Sequence, residues 1–86
     1  MKNQELEIVL IDKFGKKISS LYLNKYYGFI PLVGEKILAS PKMFCPPLAE
    51  YFDDPVVFTV WSRKLEIFRT GMGIVTIEVY NEGFKI

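Results

Sequence analysis

The sequence contains no histidine, and Cys45 is its only cysteine. Histidine is the side chain whose ordinary pKa suits a general base near neutral pH, and it is a common nitrogen ligand of metals in proteins. A single cysteine forms neither an internal disulfide nor a thiolate metal cluster, and here no histidine could activate it as a nucleophile. We therefore expect a protein that is not an enzyme and has no metal or cofactor, with Cys45 as a buried structural thiol.

Long hydrophobic runs are also missing. The N-terminal sequence MKNQELEIVLID alternates charged and apolar residues and lacks the continuous apolar region of a signal peptide. No later run approaches the ~20 apolar residues of a membrane-spanning helix. Small secreted domains are commonly rich in disulfides, which one cysteine cannot supply. These features predict a cytoplasmic protein without a signal peptide or membrane contact.

Neither sign of charge dominates. Eleven basic and ten acidic residues give a net charge of +1, so the chain as a whole has no attraction for nucleic acid or acidic lipid surfaces. The sequence also contains no G-x-x-x-x-G-K-[ST] phosphate loop and no calcium loop. We interpret the adjacent Asp53 and Asp54 as solvated acids of a turn rather than as metal ligands. These absences favour binding over catalysis.

The residues that are present predict one β-rich domain over residues 1–86. Half of the residues are hydrophobic, and a chain of this length has enough apolar surface for a single core. Apolar and polar residues alternate with the period of a strand in ELEIVLID, KISSLYL, KILAS, VVFTVWSRKLEIF and IVTIEVY. The fourth stretch is long enough for one bent strand or for two strands joined near Arg63. The predicted fold class is all-β with one short helical turn, in a small, partly open barrel of five or six strands, SH3-like or OB-like.

The apolar side of each predicted strand should fill the barrel. A barrel of so few strands closes around its own side chains, so we expect no deep internal pocket. DKFGKK should join the first two strands as a hairpin in which Gly15 takes a positive φ. Ser19 and Ser20 are expected at solvent-facing or edge positions. The predicted interior residues are Leu6, Ile8, Leu10, Leu21, Ile37, Phe58, Val60, Val75, Ile77 and Val79.

Residues 42–55, KMFCPPLAEYFDDP, interrupt the strand pattern. Pro46 and Pro47 suit the first turn of a helix, where a missing N–H is not needed, and the residue before Pro55 is pushed away from helical geometry. Between these prolines, apolar side chains fall at the spacing of one helical face. They are Leu48, Tyr51 and Phe52. The segment therefore predicts a single helical turn.

This segment has two predicted roles, as a plug for the open end of the barrel and as a protein-binding loop. Leu48 and Phe52 should point inward, whereas Phe44 and Tyr51 should point outward. A loop stiffened by proline loses little entropy when its exposed aromatic side chains dock on a partner. The leading hypothesis is a protein-interaction module of inhibitor or adaptor type that uses this loop and an adjacent edge strand. Its candidate binding residues are Phe44, Tyr51, Asp53 and Asp54.

The alternative hypothesis is a barrel that binds single-stranded nucleic acid. Lysines and aromatic residues are interleaved between Lys13 and Phe29, and barrels bind single strands by stacking bases on aromatic side chains beside cations. The candidates are Lys13, Lys16, Lys17, Lys25, Tyr26 and Tyr27. A structural interpretation of the same stretch puts Phe14 at a hairpin tip and Tyr22 and Phe29 in the core, with lysines protecting strand edges. A further alternative is a subunit of a larger assembly, for which a homo-oligomer is the simplest form.

Overall fold

Five strands form one mixed sheet that curls into a half-barrel in the computed structural model, which describes residues 4–26 and 28–84. The strands are β1 (Gln4–Ile11), β2 (Lys17–Tyr26), β3 (Lys36–Ala39), β4 (Val56–Ile67) and β5 (Gly73–Tyr80). Their order in the sheet is β2-β1-β5-β4-β3, with β1 parallel to β5 and every other pair antiparallel. This architecture confirms the predicted small, partly open barrel.

The β1–β2 hairpin turns where the sequence predicts. Gly15 has a φ of 81°, in the left-handed region that a residue without a Cβ adopts at little cost. The Asp12 carboxylate accepts hydrogen bonds from the backbone N–H groups of Phe14 and Lys16 at 2.8 and 2.9 Å. An aspartate that bonds its own turn in this way fixes the turn's conformation.

Strand β4 is one strand with an irregularity, which settles the two alternatives for residues 56–68. Its register against β5 shifts between Val60 and Ser62, as happens when a β-bulge adds one residue to one strand of a pair. Before the bulge, residues 56–59 pair with β3. β4 therefore links the short outer strand β3 to the centre of the sheet.

The core lies on the concave face of the half-barrel. Nine of the ten predicted interior residues are buried, and the tenth, Ile37, is half-buried and packs against them. Ser19 also lies on this face, contrary to the prediction, because it is directly opposite Leu10 in the β1–β2 pair. It is fully buried, and its hydroxyl donates a hydrogen bond to the carbonyl of Pro46 at 2.5 Å.

The segment 42–55 closes over the open side of the half-barrel. A single 3₁₀ turn, η1 (Pro41–Met43), comes just before the residues in which the sequence predicts a helical turn. The predicted turn is also present, since the N–H groups of Tyr51 and Phe52 both donate to the carbonyl of Leu48. Leu48 is buried and Phe52 packs against the core, so this segment has the predicted plugging contacts.

Two predictions within this segment are wrong, for one reason. Cys45 exchanges two backbone hydrogen bonds with Ser20 of β2 and so extends the sheet by one residue. Neighbouring residues on an extended chain point to opposite sides. Phe44 therefore points into the core, where it is 2% exposed. Cys45 points outward and is exposed rather than buried.

In the part of the chain that the structure describes, no helix is long and apolar enough to cross a membrane.

Candidate functional site

An open groove of about 940 Å³ lies at the end of the half-barrel where β1 and β5 both end. It is a surface groove and not an internal pocket, because the barrel interior is filled by the core side chains. We call it the aromatic groove. Its lining residues are Ile11, Asp12, Lys13, Phe14, Gly15, Trp61, Tyr80, Asn81, Glu82 and Phe84.

Trp61 enters the groove from the bulge of β4. A bulge turns the strand locally and changes the direction in which a side chain points. The indole ring meets the ring of Tyr80, from the end of β5, with centroids 6.0 Å apart and planes at 80°. This edge-to-face arrangement is one that aromatic pairs prefer. Trp61 nevertheless remains 61% exposed, so the pair leaves most of the indole free for contact.

Phe14 forms a second aromatic surface of the groove. It sits at the tip of the β1–β2 turn, which the Asp12 carboxylate holds in place, and it is 80% exposed. The ammonium group of Lys13 lies 5.2 Å from the centre of the Phe14 ring, within the range of a cation–π contact. A large apolar side chain is therefore held in solvent by a hydrogen-bonded turn.

The third aromatic surface comes from the turn after β5. The Asn81 side chain fixes this turn, since its amide donates to the carbonyl of Val57 at 2.9 Å and its oxygen accepts from the N–H of Gly83 at 2.8 Å. Phe84 then packs between the groove and residues 42–55, which we call the plug segment, with its ring 5.3 Å from Phe52 and 6.0 Å from Tyr51. Tyr51 thus borders the aromatic groove through Phe84.

The four predicted protein-binding residues have different positions. Phe44 is in the core and is unavailable to a partner. Tyr51 is 56% exposed, as predicted. Asp53 and Asp54 are both exposed, and a carboxylate oxygen of Asp54 accepts a hydrogen bond from the Ser40 hydroxyl at 3.0 Å. Of the four, Tyr51 contacts Phe84, which lines the groove.

The predicted nucleic-acid residues are divided between the two ends of β2. Lys13, Lys16 and Lys17 surround the β1–β2 turn, beside the groove. Lys25 is eight residues along β2 from Lys17, a distance of ~26 Å at the usual rise of a strand. It is accompanied there by Tyr26, whose ring packs against the core and whose hydroxyl donates to the Phe29 carbonyl. Tyr27 lies outside the described residues. The described candidates of this stretch therefore fall into two groups, one at each end of β2.

The structural interpretation of that stretch is confirmed in part. Phe14 does lie at the hairpin tip. Tyr22 and Phe29 are not in the core, since they are 49% and 97% exposed. The Tyr22 hydroxyl instead donates a hydrogen bond of 2.6 Å to the Glu5 carboxylate on β1. This hydrogen bond, with smaller contributions from desolvation and from the charges of Glu5 and Glu7, raises the pKa of Tyr22.

The charges within the groove nearly balance. Asp12 and Glu82 are acidic and Lys13 is basic, so the lining carries one more negative than positive group. Among the described residues, no group of three or more histidine, cysteine, aspartate or glutamate side chains could hold a metal ion. The groove therefore offers aromatic surface bordered by a few charges of both signs.

Trp61, Tyr80 and Phe84 were not singled out from the sequence. The signal for two of them is their position in the alternation. Trp61 directly follows the inward residue Val60, and Tyr80 continues the outward series of Thr76 and Glu78. A large aromatic side chain on the polar side of a strand indicates a surface contact more than a core contact.

Comparison with known proteins found no matching family model, no matching curated protein and no matching solved structure.

Proposed function

We propose that the protein is a non-catalytic protein-interaction module that binds an extended segment of a partner protein in the aromatic groove. The observation that carries this proposal is the exposure of Phe14 and Trp61, 80% and 61%, on a turn that the Asp12 carboxylate holds and on the bulge of β4. Aromatic side chains held in this way lose little conformational entropy on binding and commonly supply much of the binding energy of an interface.

The shape and chemistry of the groove favour an extended peptide. Proline-rich segments in the polyproline II conformation bind grooves that are lined by aromatic rings, because they need little ordering on binding. Trp61 and Tyr80 supply such rings at right angles to each other. Tyr51, one of the predicted binding residues, extends the apolar surface beyond Phe84. The partner would thus contact both the groove and the exposed side of the plug segment.

The same groove is less suited to a phosphate backbone. Two of its three charged side chains, Asp12 and Glu82, are carboxylates, which repel phosphate groups. Lys13, Lys16 and Lys17 lie close enough for a single-stranded nucleic acid to remain the second candidate ligand. Its affinity would have to fall steeply as salt is added, because phosphate contacts release counterions.

Selection of peptides from a random library displayed on phage tests the proposal. Trp61 is the only tryptophan, so a change in its fluorescence reports directly on binding in the groove. The peptides selected by the wild type should change this fluorescence, and Phe14→Ala should weaken their binding. Phe29→Ala is the matched control, since it removes another exposed phenylalanine, one that does not line the groove.

Two results would count against peptide binding in the groove. One is a selection that yields no peptide, and the other is a set of peptides that bind Phe14→Ala and Phe29→Ala equally well. Titration with single-stranded oligothymidylate at low and raised salt completes the comparison. A salt-sensitive change in Trp61 fluorescence, with no peptide selected, would replace the peptide with nucleic acid as the ligand.

A further inference from the structure

The outer edge of β4 has no backbone partner over much of its length. β5 pairs with one edge of β4 as far as Ile67, whereas β3 pairs with the other edge only as far as Thr59. Val60 then exchanges hydrogen bonds with Gly34 and Glu35. Within residues 4–26 and 28–84, the outer edge from Trp61 to Ile67 receives no further backbone hydrogen bond.

The direction of each backbone N–H and C=O group along this edge follows from the hydrogen bonds between β4 and β5. Phe68 donates its N–H to the carbonyl of Met72 at 2.8 Å, and these two residues continue the β4–β5 register. Phe68 therefore faces β5, and successive residues of an antiparallel strand alternate between the two sides. Arg63, Leu65 and Ile67 direct their N–H and C=O groups away from β5, toward the open edge.

We propose that this edge pairs with the same edge of a second copy of the chain, antiparallel, about a twofold axis at Leu65. The N–H of Leu65 donates to the carbonyl of Leu65 in the second copy, and the reverse bond is identical by symmetry. Arg63 of each copy is then opposite Ile67 of the other, and each such pair exchanges two further backbone hydrogen bonds. The two sheets join into one.

The side chains favour this register over its neighbours. With the axis at Leu65, Lys64 of each copy is opposite Glu66 of the other, so two pairs of opposite charge form on one face. The two Leu65 side chains meet on the other face, where an apolar pair across strands stabilises a sheet. An axis at Arg63, Lys64 or Glu66 would instead place that charged residue opposite its own copy, which is unfavourable. The charge pattern of the edge therefore complements itself only in the proposed register.

The exposed apolar side chains of this strand are a second reason to expect a partner at this edge. Leu65 and Ile67 are 56% and 69% exposed. Open strand edges with apolar side chains pair readily, and proteins often block them with lysine, which repels the lysine of an approaching copy. Lys64 does not block the proposed pairing, because it lies opposite Glu66 of the second copy. The other edge of the sheet, β2, is already covered in part by Cys45.

Reversal of the charges tests the register. The oligomeric state is measured by sedimentation velocity over a series of protein concentrations, where the wild type should form a dimer. Lys64→Glu places like charges opposite each other in both pairs, so the dimer should dissociate about tenfold or more readily. Glu66→Lys should do the same. The double variant Lys64→Glu with Glu66→Lys restores opposite charges and should restore the dimer. Lys42→Glu makes the same charge change at an exposed site outside the edge and should have no effect.

A wild type that stays monomeric at every concentration would overturn the proposal. A dimer that Lys64→Glu leaves intact, or that the double variant fails to restore, would place the interface elsewhere and overturn it equally. Phe14 distinguishes this interface from peptide binding, because it lines the groove from the β1–β2 turn and not from β4. Phe14→Ala should accordingly leave the dimer unchanged.

Discussion

Truncation of Phe44 should remove a large part of the stability of this domain. The side chain is 2% exposed and its ring lies 5.4 Å from that of Phe58, which is fully buried. It is also the residue at which the plug segment enters the core, next to the backbone bonds between Cys45 and Ser20. Phe44→Ala would therefore leave a cavity where the plug meets the concave face of the sheet.

The size of the effect follows from the burial. Replacement of a buried phenylalanine by alanine costs ~3–5 kcal/mol, because transfer energy is lost and the cavity closes only in part. The whole free energy of unfolding of a chain of this length is about 4–13 kcal/mol. Phe44→Ala should thus approach the limit of stability. Phe44→Leu keeps most of the apolar volume and should cost roughly 1–2 kcal/mol.

Urea unfolding, followed by circular dichroism and by the fluorescence of Trp61, measures these differences. Tyr51→Ala is the matched control, since it removes an aromatic ring from the same segment. Tyr51 is 56% exposed and contacts Phe84 edge-on, so its loss should cost about 1 kcal/mol or less. Under the proposed function, Tyr51→Ala weakens peptide binding whereas Phe44→Leu preserves it.

The reverse order of stability would refute this assignment of faces. If the free energy of unfolding of Phe44→Ala lay within about 1 kcal/mol of the wild-type value, the loss would be far below that of a buried phenylalanine. Phe44 would then not be a core residue. If Tyr51→Ala were the more destabilised variant, the plug would use the opposite face of the turn. Either result would return Phe44 to the set of residues that could contact a partner.

Three further predictions concern the sheet and its turns. Ile77→Ala should destabilise by ~2–5 kcal/mol in urea unfolding, because Ile77 is fully buried on the central strand β5. Gly15→Ala should cost ~1–2 kcal/mol, since its φ of 81° is strained for a residue with a Cβ although the space around it is open; a neutral effect would mean that the turn has another conformation. The raised pKa of Tyr22 means that its hydrogen bond to Glu5 stabilises the fold below the ordinary tyrosine pKa of about 10 and is lost as the pH rises through the folded-state value. Absorbance titration should show late ionisation of Tyr22 that moves to lower pH in Glu5→Gln.

The fold was largely predictable because the pattern of the strands repeats over short distances. Val75, Ile77 and Val79 alternate with polar residues on β5, and burial of one face of a sheet requires just that alternation. The β1–β2 turn was predictable for a similar reason, since Gly15 can take the positive φ that a tight turn requires without a Cβ clash. Both features depend on residues close together in the sequence.

The plug segment was predicted only in part, because the direction in which some of its side chains point depends on a contact with a distant strand. The spacing of Leu48 and Phe52 correctly indicated an inward face. Phe44 comes before the prolines, and its direction depends on the pairing of Cys45 with Ser20, 25 residues earlier in the chain. No local pattern specifies that pairing, so the inward position of Phe44 and the outward position of Cys45 could not be derived from the segment alone.

The aromatic groove also depends on contacts between distant parts of the chain, and it brings three such parts together. Phe14, Trp61 and Tyr80 belong to three separate parts of the chain, and they meet because β5 lies between β1 and β4 in the sheet. The bulge after Val60 determines where Trp61 points, and a bulge appears in the register of two strands and not in either strand alone. Each aromatic residue could have been noticed as an apolar side chain outside the core. That they form one binding surface follows only from the order of the strands, and the proposed function rests on that order together with their exposure.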